Sequence, residues 1–145
     1  MKTLKIIVAG LLCSMLLAFS AKAQDGIERW SNNHPEASKA LGEWVKAYPD
    51  AAHYIFEWDG THPDRSQEFV GWALSHPKEN LAVFHRRHRN WPEMDEIERT
   101  HKAGTEAFLI WCRNNPDAAR ALMAHSAALR WAGDHLYKTY LKMEK

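Results

Sequence analysis

Apolar residues recur with helical spacing along most of this chain, in a unit that returns every 14 residues. Tryptophan and proline mark the unit with the pattern Trp-x4-Pro. The four consecutive pairs are Trp30 and Pro35, Trp44 and Pro49, Trp58 and Pro63, and Trp72 and Pro77. The pattern returns once, at Trp111 and Pro116, after Trp91 and Pro92 break the spacing. Because a fixed period is the sequence signature of repeat proteins, it predicts a stack of similar elements.

Each unit predicts a short helix that begins at its proline. After Pro35, the apolar residues Ala37, Leu41 and Trp44 follow the spacing of one helix face. Proline suits the first helical position because its missing N–H is not needed there. An acidic residue follows five of the six prolines, where it meets the positive end of the helix dipole. We therefore expect each unit to hold about eleven residues of helix and about three of turn.

The recurring tryptophans admit two hypotheses. Helices of this length are marginal alone in water, so each is expected to pack on its neighbours. A tryptophan near the end of its helix then covers the turn and the start of the next helix, which predicts that the rings are core. In the alternative, Trp44, Trp58 and Trp72 expose their rings and form a surface that binds carbohydrate or peptide. The exposure of the rings separates the two hypotheses.

The second half of the chain has a longer helical pattern. Apolar positions run from Met94 to Trp111 with alternating separations of three and four residues, which predicts one helix from about Pro92 to Arg113. A second helix opens at Pro116 after a very short turn. The two are therefore expected to form a long antiparallel hairpin.

The predicted fold is all-α: stacked short helices of the 14-residue repeat, followed by the long antiparallel hairpin. In that hairpin Gly104 is expected to lie about level with His125, so that the helices approach closely there. No segment shows the period-two alternation of a β-strand.

The first 23 residues predict a secretory signal peptide. Lys2 and Lys5 precede an apolar run, and Ala21 and Ala23 supply the small residues that a signal peptidase reads, which predicts cleavage after Ala23. The apolar run of about 14 residues is shorter than the roughly 20 that a membrane-spanning helix needs. We expect residues 24–145 to form a single soluble domain, periplasmic or secreted, with no membrane span after removal of the leader.

Charge and cysteine content narrow the expected partners. The leader holds three of the 19 basic residues, so 16 remain in the mature chain against 18 acidic ones. A strongly basic surface is therefore absent, and we do not expect a nucleic-acid partner. Cys112 is the only cysteine of the mature chain, so no intrachain disulfide can form. Whether Cys112 joins two chains, and in which oligomeric state the protein exists, stays open.

The nine histidines are the residues with the most promising chemistry. His85 and His88 lie three residues apart and so share a helix face. Two imidazoles at this spacing can hold a divalent transition metal with Glu93 or Glu96 as a further ligand. The alternative is that all four side chains form exposed ion pairs, which stabilise a protein by at most about 1 kcal/mol each.

The same segment carries a basic run. Arg86, Arg87 and Arg89 place positive charge beside the predicted metal site, which argues against a divalent cation. They instead form a candidate binding surface for an anionic partner, such as a phosphorylated sugar or an acidic protein surface.

Three further histidines, His34, His62 and His76, each precede a repeat proline. Tyr48 and Asn115 occupy the equivalent position in other units, so a ligand role is not expected. We predict that these imidazoles cap a helix start or pack on the tryptophan four residues earlier.

No catalytic motif is found in the sequence, and we do not expect an enzyme. The leading hypothesis is an exported helical-repeat protein that acts as a binding or scaffold module in the cell envelope, without a cofactor, and whose partner is another envelope or secreted protein. The alternatives are a periplasmic metal-binding or metal-sensing protein that uses helix-borne histidines, and a carbohydrate-binding protein that uses exposed tryptophans.

Overall fold

The computed structural model describes residues 21–88, 91–125 and 129–130, with the side chains of 21–25 and 27 left out. Within these ranges the chain forms eight helices and no strand. The helices are α1 (Ala21–Asn33), α2 (Pro35–Ala47), α3 (Pro49–Thr61), α4 (Pro63–Ser75), α5 (Leu81–Arg87), α6 (Pro92–Thr100), α7 (Lys102–Asn114) and α8 (Pro116–Leu122). The predicted all-α fold of stacked short helices is confirmed.

The units that begin at Pro35, Pro49 and Pro63 consist of 13 helical residues and a single joint residue, so the predicted turn of about three residues was wrong. The helix predicted to begin at Pro77 was also wrong, because Pro77 lies in a turn and α5 begins at Leu81. The joint residues have nearly the same backbone conformation, with φ −132° and ψ 63° at His34 and φ −134° and ψ 63° at Tyr48. Each of them precedes a proline, whose ring disfavours the helical conformation in the residue before it. One residue therefore suffices to end a helix and redirect the chain.

The joint residue keeps its own backbone hydrogen bonds. The N–H of His62 donates to the carbonyl of Trp58 at 2.9 Å, and the carbonyl of His62 accepts from the N–H of Ser66 at 2.9 Å. The preceding helix thus accepts the N–H of the joint residue, and the following helix donates to its carbonyl. Proline has no N–H, so it adds no donor that would need a partner. The chain therefore changes direction with few unpaired polar backbone groups.

The joint imidazoles belong to the helix that precedes them. Nδ1 of His62 lies 3.1 Å from the carbonyl of Trp58, and its ring stacks on the Trp58 indole at 5.4 Å. His76 repeats both contacts with Trp72. The prediction that these rings pack on the preceding tryptophan is confirmed. The alternative that they cap the next helix is wrong at His34 and His62, which make no side-chain cap hydrogen bond.

All six tryptophans among the described residues are core residues, with between 3% and 7% of their surface exposed. Their rings contact other aromatic rings across helices: Trp44 lies 5.0 Å from Phe108, and Trp58 lies 5.6 Å from Trp91. The prediction of a tryptophan core is therefore confirmed. This burial contradicts the alternative in which Trp44, Trp58 and Trp72 present their rings to a ligand, because an indole so well covered has no face left for a sugar.

The indole N–H groups join the two halves of the chain. Three of them donate to backbone carbonyls far away in the sequence, and the two residue numbers of each pair have the same sum, which means that the halves run antiparallel. The bonds are Trp30 to Ala118 at 2.8 Å, Trp44 to Gly104 at 2.9 Å, and Trp111 to Ala37 at 3.0 Å. Each of these hydrogen bonds pairs a buried indole N–H with a buried carbonyl, and both groups would otherwise lack a partner.

Helix α7 lies at the centre of this arrangement and contacts α2, α3, α4, α6 and α8. The first helix, α1, contacts the last described helix, α8. The repeat helices therefore close around α7 rather than extending as an open row. No described helix is both long enough and apolar enough to cross a bilayer.

The predicted helix from Pro92 to Arg113 is two helices that meet at His101. His101 has φ −131° and ψ 47°, which is close to the conformation of the joint residues that precede a proline, although the residue after His101 is Lys102. The second arm, predicted as one helix from Pro116 past His125, ends at Leu122, and residues 123–125 are not helical. The residues that follow are mostly outside the described ranges, so the hairpin as a whole stays a prediction.

The predicted approach of Gly104 to His125 is wrong. The space beside the Cα of Gly104 is filled by Ala51 and Tyr48, at the start of α3. His125 lies instead beside Gly26, where an added Cβ would be 2.9 Å from its ring.

Arg113 fastens α7 to the end of α4. Its guanidinium donates to the carbonyls of Ala73 at 3.0 Å, His76 at 2.7 Å and Glu79 at 2.7 Å. It also lies over the Trp72 ring, at 5.7 Å from the centroid. Partial burial lowers the pKa of this guanidinium. Arg113 thus satisfies three carbonyls where the chain leaves α4.

We expect Arg113→Lys to lower the free energy of unfolding by about 1–2 kcal/mol, because a single ammonium cannot reach three carbonyls in different directions. Urea unfolding measures this loss. The matched control is Arg120→Lys on the exposed side of α8, with an expected change within about 0.5 kcal/mol. Equal effects of the two substitutions would contradict the role assigned to Arg113.

Candidate functional site

The histidines predicted to bind a metal have other partners than predicted. His85 contacts Asp95 through Nδ1 and Glu98 through Nε2, the latter at 3.4 Å. Glu93 and Glu96, the acids predicted to join it, are not among these contacts. Met94 and Ile97 are buried in the core, and this fixes the rotation of α6 so that Asp95 and Glu98 reach α5.

The geometry around His85 does not favour a shared ion. Its two carboxylate partners lie at different ring nitrogens, so one metal cannot contact the imidazole and both acids together. His88 is directed elsewhere, with Nε2 at 3.3 Å from Glu68 on α4 and its ring stacked on Phe84 at 4.1 Å. Over the described ranges, no group of three or more His, Cys, Asp or Glu side chains is placed to hold a metal.

The basic run is only partly described. Arg86 is exposed, and Arg87 lies 3.6 Å from Glu79. Arg89 is outside the described residues. The anion-binding surface at Arg86, Arg87 and Arg89 therefore stays a prediction.

A groove of about 570 Å³ lies between α3 and α6. It has an aromatic and aliphatic floor with three glutamates in its lining. The lining residues are Tyr54, Glu57, Trp58, Thr61 and His62 from α3 and its joint, and Pro92, Glu93, Glu96 and Ile97 from α6.

Helical spacing explains this lining. Tyr54, Trp58 and Thr61 follow one another at separations of four and three, so they share one face of α3. On α6, Glu93 and Glu96 are separated by three and share a face in the same way. The contact of Trp58 with Trp91 brings the end of α3 to the start of α6, and the groove runs along the two faces beside this contact.

Tyr54 is the most accessible aromatic residue of the groove, with 41% of its surface exposed. Its ring stacks on His101 at 5.0 Å with an angle of 24° between the planes. Because His101 is the joint between α6 and α7, the break in the predicted long helix also positions this tyrosine. A ring held in this way offers a ligand one preformed face.

The groove is negative. The side chains of Glu57, Glu93 and Glu96 are 53%, 56% and 60% exposed, and the lining residues within the described ranges include no lysine or arginine. Their neighbours offset the charge only in part, since Arg65 lies 3.9 Å from Glu93 at the edge of ion-pair range. Arg99 bonds Glu96 more closely, at 2.7 Å, and this bond raises the pKa of the arginine.

Sequence reasoning missed the groove, although it named two of its acids. Glu93 and Glu96 were predicted as metal ligands, and the structure places them together in the groove lining and away from His85 and His88. The i, i+3 spacing of these acids was a usable signal for a shared face. The sequence pattern did not indicate that α6 packs against α3.

A second group of polar side chains is buried below the surface. Asp59 on α3 is 2% exposed, and its Oδ1 accepts a hydrogen bond from Ser66 Oγ at 2.8 Å. Its Oδ2 has no hydrogen-bond partner. Burial raises the pKa of this carboxyl to about 7, and the bond from Ser66 opposes the shift. The sequence held a signal that was missed, since Asp59 follows Ile55 by four residues and Phe56 by three and so lies on the apolar face of α3.

Cys112 is fully buried, and burial together with the nearby Asp59 raises the pKa of its thiol well above the usual value. The sulfur is therefore a neutral thiol at physiological pH, and a poor nucleophile. A disulfide between two chains would require this sulfur at the surface.

Comparisons of the chain with protein-family models, with curated proteins and with solved structures give no match.

Proposed function

We propose that this protein is an exported binding protein of the cell envelope that recognises another protein through the groove between α3 and α6, without catalysis. The N-terminal 23 residues support export, because they have the composition of a secretory leader. The observation that carries the proposal is the groove itself, with its apolar floor and its three accessible carboxylates.

The size and chemistry of the groove support binding. Ligand sites commonly measure about 300–1,000 Å³ and combine apolar walls with a few placed polar groups. At about 570 Å³, with Trp58, Pro92 and Ile97 in its walls, this groove fits the description. Helices rather than loops provide nearly all of the lining, which favours a preformed site.

The polar groups of the groove suit recognition better than bond-making. Nδ1 of His62 contacts the Trp58 carbonyl at 3.1 Å and the Thr61 hydroxyl at 2.9 Å, so this ring nitrogen is engaged within α3 and its joint. The glutamates are largely exposed, so water solvates them, and they lack the desolvation that usually tunes a catalytic acid.

The test is capture of a partner from envelope extract on immobilised mature protein. Glu57→Lys combined with Glu93→Lys reverses two exposed charges of the groove, and we expect it to abolish capture of a partner that the wild type retains. The matched control is Glu28→Lys with Glu43→Lys, which makes the same charge change at exposed positions of α1 and α2.

Circular dichroism of the variants confirms that each one folds. A partner retained by the wild type and the control but lost by the groove variant supports the proposal. Failure of the wild type to retain any partner, or retention of the same partners by the groove variant, would refute it.

A further inference from the structure

The charges and the aromatic floor of the α3–α6 groove also indicate what its partner presents. We propose that the groove binds a segment that carries lysine or arginine side chains next to an apolar residue. This inference rests on the proposed function of the groove as the binding site.

The carboxylates come from both walls of the groove. Glu57 belongs to α3, and Glu93 and Glu96 belong to α6. A cation lying between the helices is therefore attracted from two sides, whereas an acidic segment would be repelled from both. Since no lysine or arginine is among the described residues that line the groove, this part of its lining does not favour an anion.

The ion pairs of Glu57 and Glu93 do not block such a cation, whereas Glu96 accepts two hydrogen bonds from Arg99, at 2.7 Å and 3.3 Å. Glu57 faces His53 at 3.4 Å, and Glu93 faces Arg65 at 3.9 Å. The Glu93–Arg65 pair is exposed, and such pairs contribute little to stability, so replacing Arg65 with a partner's cation costs little. Arg65 also lies over the Trp91 ring, at 5.9 Å from its centroid, so it keeps this contact if Glu93 turns to a partner.

The floor suits the stem of a long basic side chain. Lysine and arginine carry aliphatic chains that pack on apolar surface while the charged head stays near water. The Tyr54 ring lies on the same face of α3 as Glu57 and is held by its stack on His101. A side chain lying on this ring brings its cation towards the carboxylates and gains a cation–π contact. Ile97 and Pro92 offer apolar surface for the neighbouring residue.

The net charge of the whole protein does not explain a preference for cationic segments. After removal of the leader, 16 basic residues stand against 18 acidic ones, so the overall field is weak. A marked preference for cationic segments must then arise locally, and it must disappear when the local carboxylates are neutralised.

The experiment uses fluorescence anisotropy of a labelled, end-blocked peptide of alternating lysine and leucine, with the mature protein as titrant. Two comparison peptides carry serine or glutamate in place of lysine. We expect the lysine peptide to bind about tenfold more tightly than the serine peptide, and the glutamate peptide to bind more weakly still.

The variant Glu57→Gln with Glu93→Gln removes two carboxylates and keeps their shape, and we expect it to reduce the preference for lysine by about tenfold. Glu28→Gln with Glu43→Gln is the matched control, with an expected change below about twofold. A variant with Tyr54→Ala tests the floor, since it should weaken binding of the lysine peptide more than binding of the serine peptide, which has no aliphatic stem and no cation to place on the ring.

Three results would overturn the inference: equal binding of the lysine and serine peptides, equal losses in the groove and control variants, and no binding of any peptide. If one of them occurs while the groove charge-reversal variant still loses an envelope partner, the proposed binding function stands and only the class of partner is wrong. If that variant loses no partner, the binding function fails as well.

Discussion

Asp59→Asn is expected to stabilise the protein at pH 8 by up to about 4 kcal/mol while changing its stability at pH 4 much less. The carboxyl of Asp59 is fully buried, its Oδ2 has no partner, and burial raises its pKa from 3.8 to about 7. Ionisation inside the core is therefore unfavourable. Asparagine has nearly the same shape and stays neutral at every pH.

The direction of the pH dependence follows from proton binding. Between pH 3.8 and about 7 the folded protein keeps a proton on Asp59 that the unfolded chain has released. The free energy of unfolding therefore falls as pH rises through this window, at a maximum of about 1.4 kcal/mol per pH unit. The contribution of the neutral carboxyl is complete below pH 3.8 and is lost above pH 7.

Urea unfolding at several pH values between 4 and 8 measures the effect. The wild type should lose stability across this range relative to Asp59→Asn, and the difference between the two proteins should grow with pH. Asp64→Asn is the control, because Asp64 is exposed on the first turn of α4 and should show no such growth. A constant difference between wild type and Asp59→Asn from pH 4 to pH 8 would show that Asp59 does not titrate in this window.

Gly104→Ala is expected to destabilise the protein by about 3 kcal/mol, the upper part of the range for overpacking a core. An added Cβ would lie well inside 3.0 Å of the Ala51 Cβ and 3.1 Å from the Tyr48 Cβ. To relieve this overlap, α7 must move away from α3. The movement also strains the hydrogen bond from the Trp44 indole to the Gly104 carbonyl.

Thermal or urea unfolding tests this, with two variants that isolate the cause. Gly71→Ala is the control, because an added Cβ there meets nothing within 4 Å and alanine is the better helix former by about 1 kcal/mol. Ala51→Gly in the Gly104→Ala background removes the atom that clashes and should restore part of the loss. A double variant no more stable than Gly104→Ala would mean that the contact with Ala51 is not the cause.

The candidate site shows where sequence reasoning reached its limit. Glu93 and Glu96 of α6 were predicted to join His85 at a metal site, and this choice of acids was wrong. Asp95 and Glu98 face His85, whereas Glu93 and Glu96 line the groove. A rotation of about 100° separates neighbouring residues of a helix, so the choice of face depends on which residues are drawn into the core.

The sequence by itself determined the local structure. A repeat proline disfavours the helical conformation in the residue before it and suits the first turn after it, so the helix starts at Pro35, Pro49 and Pro63 follow from residue types. Pro77, where no helix begins, is the exception. The helical spacing of apolar residues also fixed which face of each helix is buried, and with it the tryptophan core.

Only the tertiary structure decided how these helices meet. The break at His101, the antiparallel pairing of the two halves, the burial of Asp59 and the groove between α3 and α6 all depend on contacts between residues far apart in the chain. Such contacts depend on how whole helices pack against one another. The same set of amphipathic helices can be packed in many arrangements, and local sequence does not select among them. A local pattern indicates that a helix face is buried. Which residues cover that face depends on the arrangement that packs the whole core most closely.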